Sequence, residues 1–212
     1  MKKAILFDLD GTLWDSGETV LPAWNRVLAE VGVRPPVIMD ELNSFMGLGP
    51  QDLADKFLPM LSDPAERLAL FTRCFDAEVE AIRKEGARLY EGVIEMLHAL
   101  KVQGCFLAVV SNCKDGYIQA FLDYYCLHEI FTDFESAGAT GLTKGENIAL
   151  VLSRNGFAAE DALYVGDTVW DMEASMKAGV DFLHAAYGFG SVPEGMPAVS
   201  SPREIPAKVW SI

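Results

Sequence analysis

The sequence predicts an α/β fold: a parallel sheet core flanked by helices, with an all-helical segment inserted after the first strand. Three observations carry this. Short continuous apolar runs, each closing on small or polar residues, recur at Ala4–Asp8, Cys105–Ser111, Ala162–Asp167 and Val180–His184. Runs of this kind, without alternation, read as strands buried on both faces. Segments with helical spacing lie between them, as the crossovers of a parallel sheet require. Roughly ninety residues separate the first run from the second, too many for one crossover.

Each element has its own local reason. AILF at residues 4–7 runs directly into Asp8 and Asp10, so an oily strand delivers two carboxylates to one point. Ser16 to Val31 is a candidate helix, and Pro35-Pro36 and Gly47-Leu48-Gly49-Pro50 break the next stretch of chain into short helices. Asp63 offers an N-cap and Pro64 the first helical position of a long helix to about Glu85. Residues 15–87 therefore read as an all-helical cap over the sheet, and residues 1–14 with 88–212 as the core. In the core, GVIEMLHALKV places Val93, Met96, Leu97 and Leu100 on one helix face before Gly104. Glu146 to Arg154 sets Ile148, Val151 and Leu152 at helical spacing and closes on Asn155-Gly156. The tail from Ser191 carries Pro193, Pro197, Pro202 and Pro206 and reads as ordered loop with at most a short helix.

Composition narrows the partners. The 212 residues are 50% hydrophobic and 23% charged, enough for one large domain or a core with an insert. Net charge is −14, from 17 basic and 31 acidic residues, with no Lys/Arg-rich run. Nucleic acid and anionic membranes are thus poor partners, and an anionic ligand must be held by local positive groups. The four cysteines form no CxxC pair and read as buried reduced thiols; the three histidines lack the spacing of a zinc site. The apolar run after Lys2-Lys3 stops at Asp8, short of a signal peptide, and Cys105 to Val110 is too short to span a bilayer. A cytoplasmic protein is expected.

In open parallel sheets ligands bind beyond the carboxyl ends of the strands, and the polar clusters of this chain fall there. Asp8 and Asp10 follow the first strand, Ser111 and Asn112 the second, and Asp167 with Asp171 the strand ALYVGD; Lys144 lies in the loop GATGLTKGEN before a helix. Asp8 and Asp167 stand out, because a carboxylate ending a buried strand is costly without a partner. Singly, Asp10-Gly11 reads as a turn, Ser111-Asn112 as a helix cap and Lys144 as a solvated charge.

Together, FDLDGTLWDS, VVSN, Lys144 and GDTVWD resemble the four motifs of the haloacid dehalogenase-like hydrolase superfamily, in family order and across the whole core. The helical insert resembles the cap of the phosphoglycolate phosphatase-like branch. In one departure, Gly145 follows Lys144 where many members of that branch have proline. The resemblance implies a Rossmann-like core and a Mg²⁺-dependent phosphatase of small phosphomonoesters. It makes Asp8 the nucleophile that forms an aspartyl phosphate, and Asp10 the acid and then the base. The ion would be held by Asp8, Asp167 and the backbone carbonyl of Asp10. Phosphate would be bound by Lys144, Ser111 and backbone N–H groups around Gly11, Thr12 and Asn112. Asp171 would orient water or Lys144.

Physical chemistry accommodates these roles. A phosphate beside three carboxylates is repelled by about 4 kcal/mol per close pair at an effective dielectric near 20, so a cation is required. Oxygen-only ligands favour Mg²⁺ over zinc. A second reading is a sugar phosphomutase, against which Thr12 weighs. A third is a phosphorelay receiver, against which the insert and the paired aspartates weigh. The cap selects the substrate, and cap positions such as residues 45–50 have no decodable chemistry.

Overall fold

The computed structural model describes residues 2–45, 47, 48 and 50–212. In chain order its elements are β1 (Ala4–Phe7), β2 (Trp14–Asp15), α1 (Gly17–Val31), α2 (Met39–Asn43), α3 (Pro50–Phe57), α4 (Pro64–Glu85) and β3 (Arg88–Leu89). Next come α5 (Val93–Val102), β4 (Phe106–Ser111), α6 (Tyr117–Tyr125), β5 (Asp133–Ser136), α7 (Ala137–Thr140) and α8 (Lys144–Arg154). The chain ends with β6 (Ala162–Gly166), α9 (Val169–Ala178), β7 (Asp181–Ala185), β8 (Ala198–Val199) and α10 (Ile205–Lys208).

Six strands form one sheet in the order β5-β4-β1-β6-β7-β8, every pairing parallel. Strand period two divides its residues between two cores. Ile5, Phe7, Leu107, Val109, Leu163 and Val165 face one layer; Ala4, Leu6, Ala108, Val110, Ala162 and Tyr164 face the other. Val93, Met96, Leu97 and Leu100 of α5 cover the first, and Ile148, Val151 and Leu152 of α8 the second. Ile5, Leu6 and Phe7 are fully buried, contributing together about 5–9 kcal/mol. That outweighs the several kcal/mol it costs to draw the next residue, Asp8, out of water.

Four helices, α1 to α4, occupy residues 17–85. Asp63 caps α4 by accepting the Ala65 N–H at 2.9 Å. Trp24, Phe57, Phe71 and Phe75 meet edge to face where α1, α3 and α4 pack together. The chain enters and leaves this region through a two-stranded ribbon, with Trp14 opposite Leu89 and Asp15 opposite Arg88. Trp14 is fully buried against Tyr117, Phe121 and Tyr125, so the entry point is anchored on α6. Trp14 is thus a packing residue, and Trp24 packs among these rings while also lining the cavity beneath the insert.

The structure adds to the sequence reading and corrects it in places. β5 (DFES) is a half-exposed edge strand whose Asp133 and Glu135 pair with Arg154; lacking an apolar run, it carried no strand signal. α6 starts after Gly116, in the left-handed region, with no side-chain cap of the usual kind. The tail holds the short strand β8 besides the short helix α10. All four cysteines are free, but only Cys74 and Cys105 are buried. Cys113 is half-buried, and Cys126, which ends α6 in the left-handed conformation (φ 55°), is exposed. Among the described residues, no helix is long and apolar enough to cross a membrane.

Candidate active site

β4, β1 and β6 are neighbours, so the residues at their carboxyl ends meet: Ser111 closes β4, Asp8 follows β1 and Asp167 follows β6. Lys144 joins them from α8. It is the first residue of that helix rather than part of a loop before it, because Thr143 and Glu146 form a reciprocal capping box that fixes the start there. Its buried Nζ lies 2.6 Å from Asp171 Oδ1 and 3.0 Å from Asp8 Oδ1. Asp171 accepts on its other oxygen from the Thr168 N–H (2.9 Å) and hydroxyl (2.6 Å), which also caps α9. Both Asp171 oxygens are therefore engaged, and the side chain aims Lys144 at Asp8.

Asp167 is held by groups from three segments. Its Oδ2 accepts the N–H groups of Phe189 (2.8 Å) and Gly190 (3.2 Å), and Thr12 Oγ1 approaches Oδ1 at 3.4 Å. His184 Nε2 reaches its carbonyl oxygen at 3.1 Å. The surrounding backbone approaches so closely that side chains would not fit. A Cβ at Gly11, where φ is +82°, would fall 2.3 Å from the Asp167 carboxylate, and one at Gly188 would fall 2.4 Å from Asp167 Cβ. Gly145 serves packing: a Cβ there would press the Ala174 carbonyl at 3.0 Å, so glycine lets α8 lie close on α9.

Asp10 turns toward the helical insert. Its Oδ1 accepts both the Ser16 hydroxyl (2.5 Å) and the Tyr117 hydroxyl (3.0 Å). Burial raises its carboxyl to about 6, which leaves protonated and ionised forms both populated near neutral pH. Burial, then the Asp171 carboxylate, raises Asp8 to about 7; burial, Asp171 and Asp8 raise Asp167 to about 8. Burial alone would lower the Lys144 ammonium, but Asp171 and Asp8 together push it up, so it stays charged.

Two assignments among the phosphate-binding residues change. The Gly11 N–H donates to the Trp14 carbonyl at 2.9 Å and the Thr12 N–H to the Leu9 carbonyl at 3.3 Å, so both are spent closing the turn after β1. Gly11 instead provides space beside Asp167, and Thr12 a hydroxyl aimed at it. Ser111, buried, and Asn112 line the same cavity as Asp8, Asp10 and Lys144. Asn112 Nδ2 also donates to the Gly47 carbonyl at 3.0 Å, linking core to insert. Within residues 45–50, Phe45, Gly47 and Leu48 line this cavity, whereas Met46 and Gly49 lie outside the described residues.

Asp8, Asp167 and Asp171 present oxygens within 4.8 Å of one another, a metal-binding arrangement. Against three buried carboxylates stands one ammonium, shared between Asp171 and Asp8. A divalent cation fits such a set, which offers hard oxygen donors and uncompensated negative charge. Asp171 already carries the Lys144 ammonium, which sets it apart from Asp167, whose partners are neutral N–H and O–H groups. The Asp10 side chain, turned away onto Ser16 and Tyr117, could contribute only through its backbone.

Comparison with known proteins supplies the family. The family model for haloacid dehalogenase-like hydrolases matches residues 5–185. The chain belongs to that family. A phosphoglycolate phosphatase of Pseudomonas putida is 30% identical over 199 residues, covering 89% of this chain and 71% of the relative. One of Caulobacter vibrioides is 30% identical over 194 residues, covering 89% and 81%. A solved structure from Haemophilus somnus, described as a predicted phosphoglycolate phosphatase, superposes with a TM-score of 0.84 at 25% identity, covering 99% and 98% of the two chains. This haloacid dehalogenase-like hydrolase therefore sits in the phosphoglycolate phosphatase-like branch.

Four residues at the site escaped the sequence reading. Tyr117 and His184 had no motif around them, and Glu78 looked like any acidic residue of a long helix. Gly188 did carry a signal: GFGS comes after the last long strand, and such a glycine pair marks backbone passing close to something, here Asp167.

Proposed function

We propose that this hydrolase is a Mg²⁺-dependent phosphatase of small phosphomonoesters, acting through an aspartyl phosphate on Asp8. The observation that carries the reading is the meeting of Asp8, Lys144, Ser111 and Asp167 at the ends of three adjacent strands, with Asp10 held separately on the insert side. Asp8 and Asp167, with the Asp10 carbonyl, would hold the ion. When bound, it supplies charge neutralisation that lets a phosphate dianion approach carboxylates.

The residues themselves divide the chemistry. Lys144 offsets charge at Asp8 and on the phosphoryl oxygens, while the Ser111 hydroxyl and the Asn112 N–H bind those oxygens. An Asp8 oxygen attacks phosphorus, the ester P–O bond breaks, and the Asp10 proton passes to the departing oxygen. Asp10, now ionised, takes a proton from water as that water attacks phosphorus. The P–O bond to Asp8 then breaks, releasing phosphate and restoring both carboxyl groups. Asp10 suits both duties because two donors on one oxygen fix its orientation and burial raises its carboxyl to about 6. Residues 15–87 act as the cap that excludes water and meets the leaving group, hinged on the ribbon of β2 and β3.

Steady-state hydrolysis of p-nitrophenyl phosphate tests the reading. Turnover should need Mg²⁺ and vanish with EDTA; Ca²⁺ should bind but not support it, because its looser shell would misplace Asp8. Undiminished turnover after exhaustive metal removal would reject the metal assignment.

A further inference from the structure

The cavity that opens from Asp8 and Asp10 into the insert has a wall of Val20, Trp24, Leu42, Phe45, Leu53 and Phe75, interrupted by one charged group, Glu78 of α4. Glu78 is 5% exposed. Its Oε2 accepts the Trp24 indole N–H at 2.7 Å, and no hydrogen bond reaches its Oε1 among the described residues. It lies close enough to Asp10 that the two repel, and burial with that repulsion raises its carboxyl well above the ordinary range. Glu78 thus stands on the side where Asp10 releases its proton, which is where a leaving alcohol must sit.

Lys144 is the only cation among the described lining residues, and its Nζ already serves Asp171 and Asp8. Of the cations near this pocket, Arg34 pairs with Glu41, Arg88 with Asp15, and Lys114 with Asp76, while Arg83 of α4 points to Gly116 and does not line the cavity. A neighbouring cleft beyond Asn112 and Lys144 carries Lys177, but with Asp52 and Glu173 beside it. Among the described lining residues no cation is free to neutralise a second anion, and Glu78 offers it no positive charge. The Glu78 oxygen that Trp24 leaves free instead favours a leaving group that brings a donor.

Building on the phosphatase reading above, we infer that the leaving group of the substrate carries no negative charge and presents an O–H or N–H donor to Glu78, so that neutral or cationic phosphomonoesters are preferred to phosphoglycolate. Phosphoglycolate, the substrate in the relatives' names, would bring a carboxylate toward Glu78 and Asp10. An ammonium would in addition find the aromatic wall of Trp24, Phe45 and Phe75, and a hydroxyl would use the Glu78 oxygen alone.

Calorimetric titration of the full-length Asp8→Asn protein with Mg²⁺ measures binding without turnover. O-phosphoethanolamine or glycerol phosphate should bind at least about tenfold tighter than phosphoglycolate, because a carboxylate desolvated in this pocket finds no counter-charge. Glu78→Gln in the same background keeps an acceptor for Trp24 and should reduce that advantage to about threefold or less. A loss confined to phosphoethanolamine assigns ammonium pairing; an equal loss for glycerol phosphate assigns a hydroxyl donor. Phosphoglycolate binding as tightly as the others, or a ranking unmoved by Glu78→Gln, overturns the inference. Should that variant not fold, the ranking in the Glu78-bearing protein decides alone. Hydrolysis of p-nitrophenyl phosphate by the native enzyme keeps the two levels apart. Turnover with a preference for phosphoglycolate removes this inference and spares the phosphatase reading. No turnover, with no phosphomonoester bound, removes both.

Discussion

Tyr117 donates its hydroxyl proton to Asp10 Oδ1 at 3.0 Å, on the same oxygen that accepts from Ser16. The Tyr117 ring packs edge to face on Trp14, with centroids 5.7 Å apart, so Tyr117→Phe removes the donor and keeps the packing. A hydrogen bond to a carboxylate is worth about 1.5–3 kcal/mol, and losing it leaves the ionised Asp10 less well oriented. On p-nitrophenyl phosphate, whose leaving group needs little protonation, kcat should fall about tenfold or more, because dephosphorylation needs Asp10 as base. kcat/KM, set by the first step, should change much less. Equal losses in both would point to structural damage.

The acidic cluster sets the sign of a pH effect on the metal-free protein. Asp8, Asp10 and Asp167 are raised to about 7, 6 and 8 from an ordinary value near 4, so between pH 4 and 8 the folded state holds more protons than the unfolded one. Stability then falls as pH rises through this window. Lys144, raised from an already high value, titrates above it. In EDTA, Tm should decline from pH 5.5 to 8.5, and Mg²⁺ should raise Tm more at the higher pH, where the carboxylates are ionised. A Tm that climbs over this range in EDTA would contradict an uncompensated cluster.

Gly11 offers a steric test. It has φ +82°, and an added Cβ would overlap the Asp167 carboxylate at 2.3 Å. Gly11→Ala should destabilise by about 1–3 kcal/mol through strain and overpacking. It should also weaken Mg²⁺ binding measured by calorimetry, since Asp167 must move. Unaltered metal affinity in the folded variant would mean that Asp167 does not ligate the ion.

Legibility in the sequence tracks the places where free energy is concentrated. AILF and ALYVG declare buried strands by composition alone, and a carboxylate at the end of each, Asp8 and Asp167, is expensive enough to demand an explanation. Lys144 became readable only beside them, and its position in the first turn of α8 depended on the capping pair Thr143 and Glu146. The Gly11 and Thr12 N–H groups were misassigned because the turn that consumes them closes on carbonyls of Trp14 and Leu9, a backbone matter that side-chain chemistry does not report. Glu78 stayed hidden for a different reason. Its neighbours in α4 alternate charge and apolar residues as a surface helix does, and only packing under Trp24 makes it a buried carboxyl.

The duties of Asp8 and Asp10 are separable with a substrate whose leaving group departs unaided. p-Nitrophenyl phosphate needs almost no proton from Asp10 to form the aspartyl phosphate, but breaking that intermediate still requires a base for water. Asp10→Asn preserves the acceptor that Ser16 and Tyr117 bind, and removes the titratable group. In rapid-quench measurements this variant should release a burst of nitrophenol approaching one per active site, with phosphate remaining attached to the protein. Asp8→Asn, lacking the nucleophile, should give neither burst nor label. Labelled protein from Asp8→Asn would place the nucleophile elsewhere. A slow Asp10→Asn enzyme without accumulated phosphoprotein would leave Asp10 serving through its backbone carbonyl on the ion, with water activated by another group.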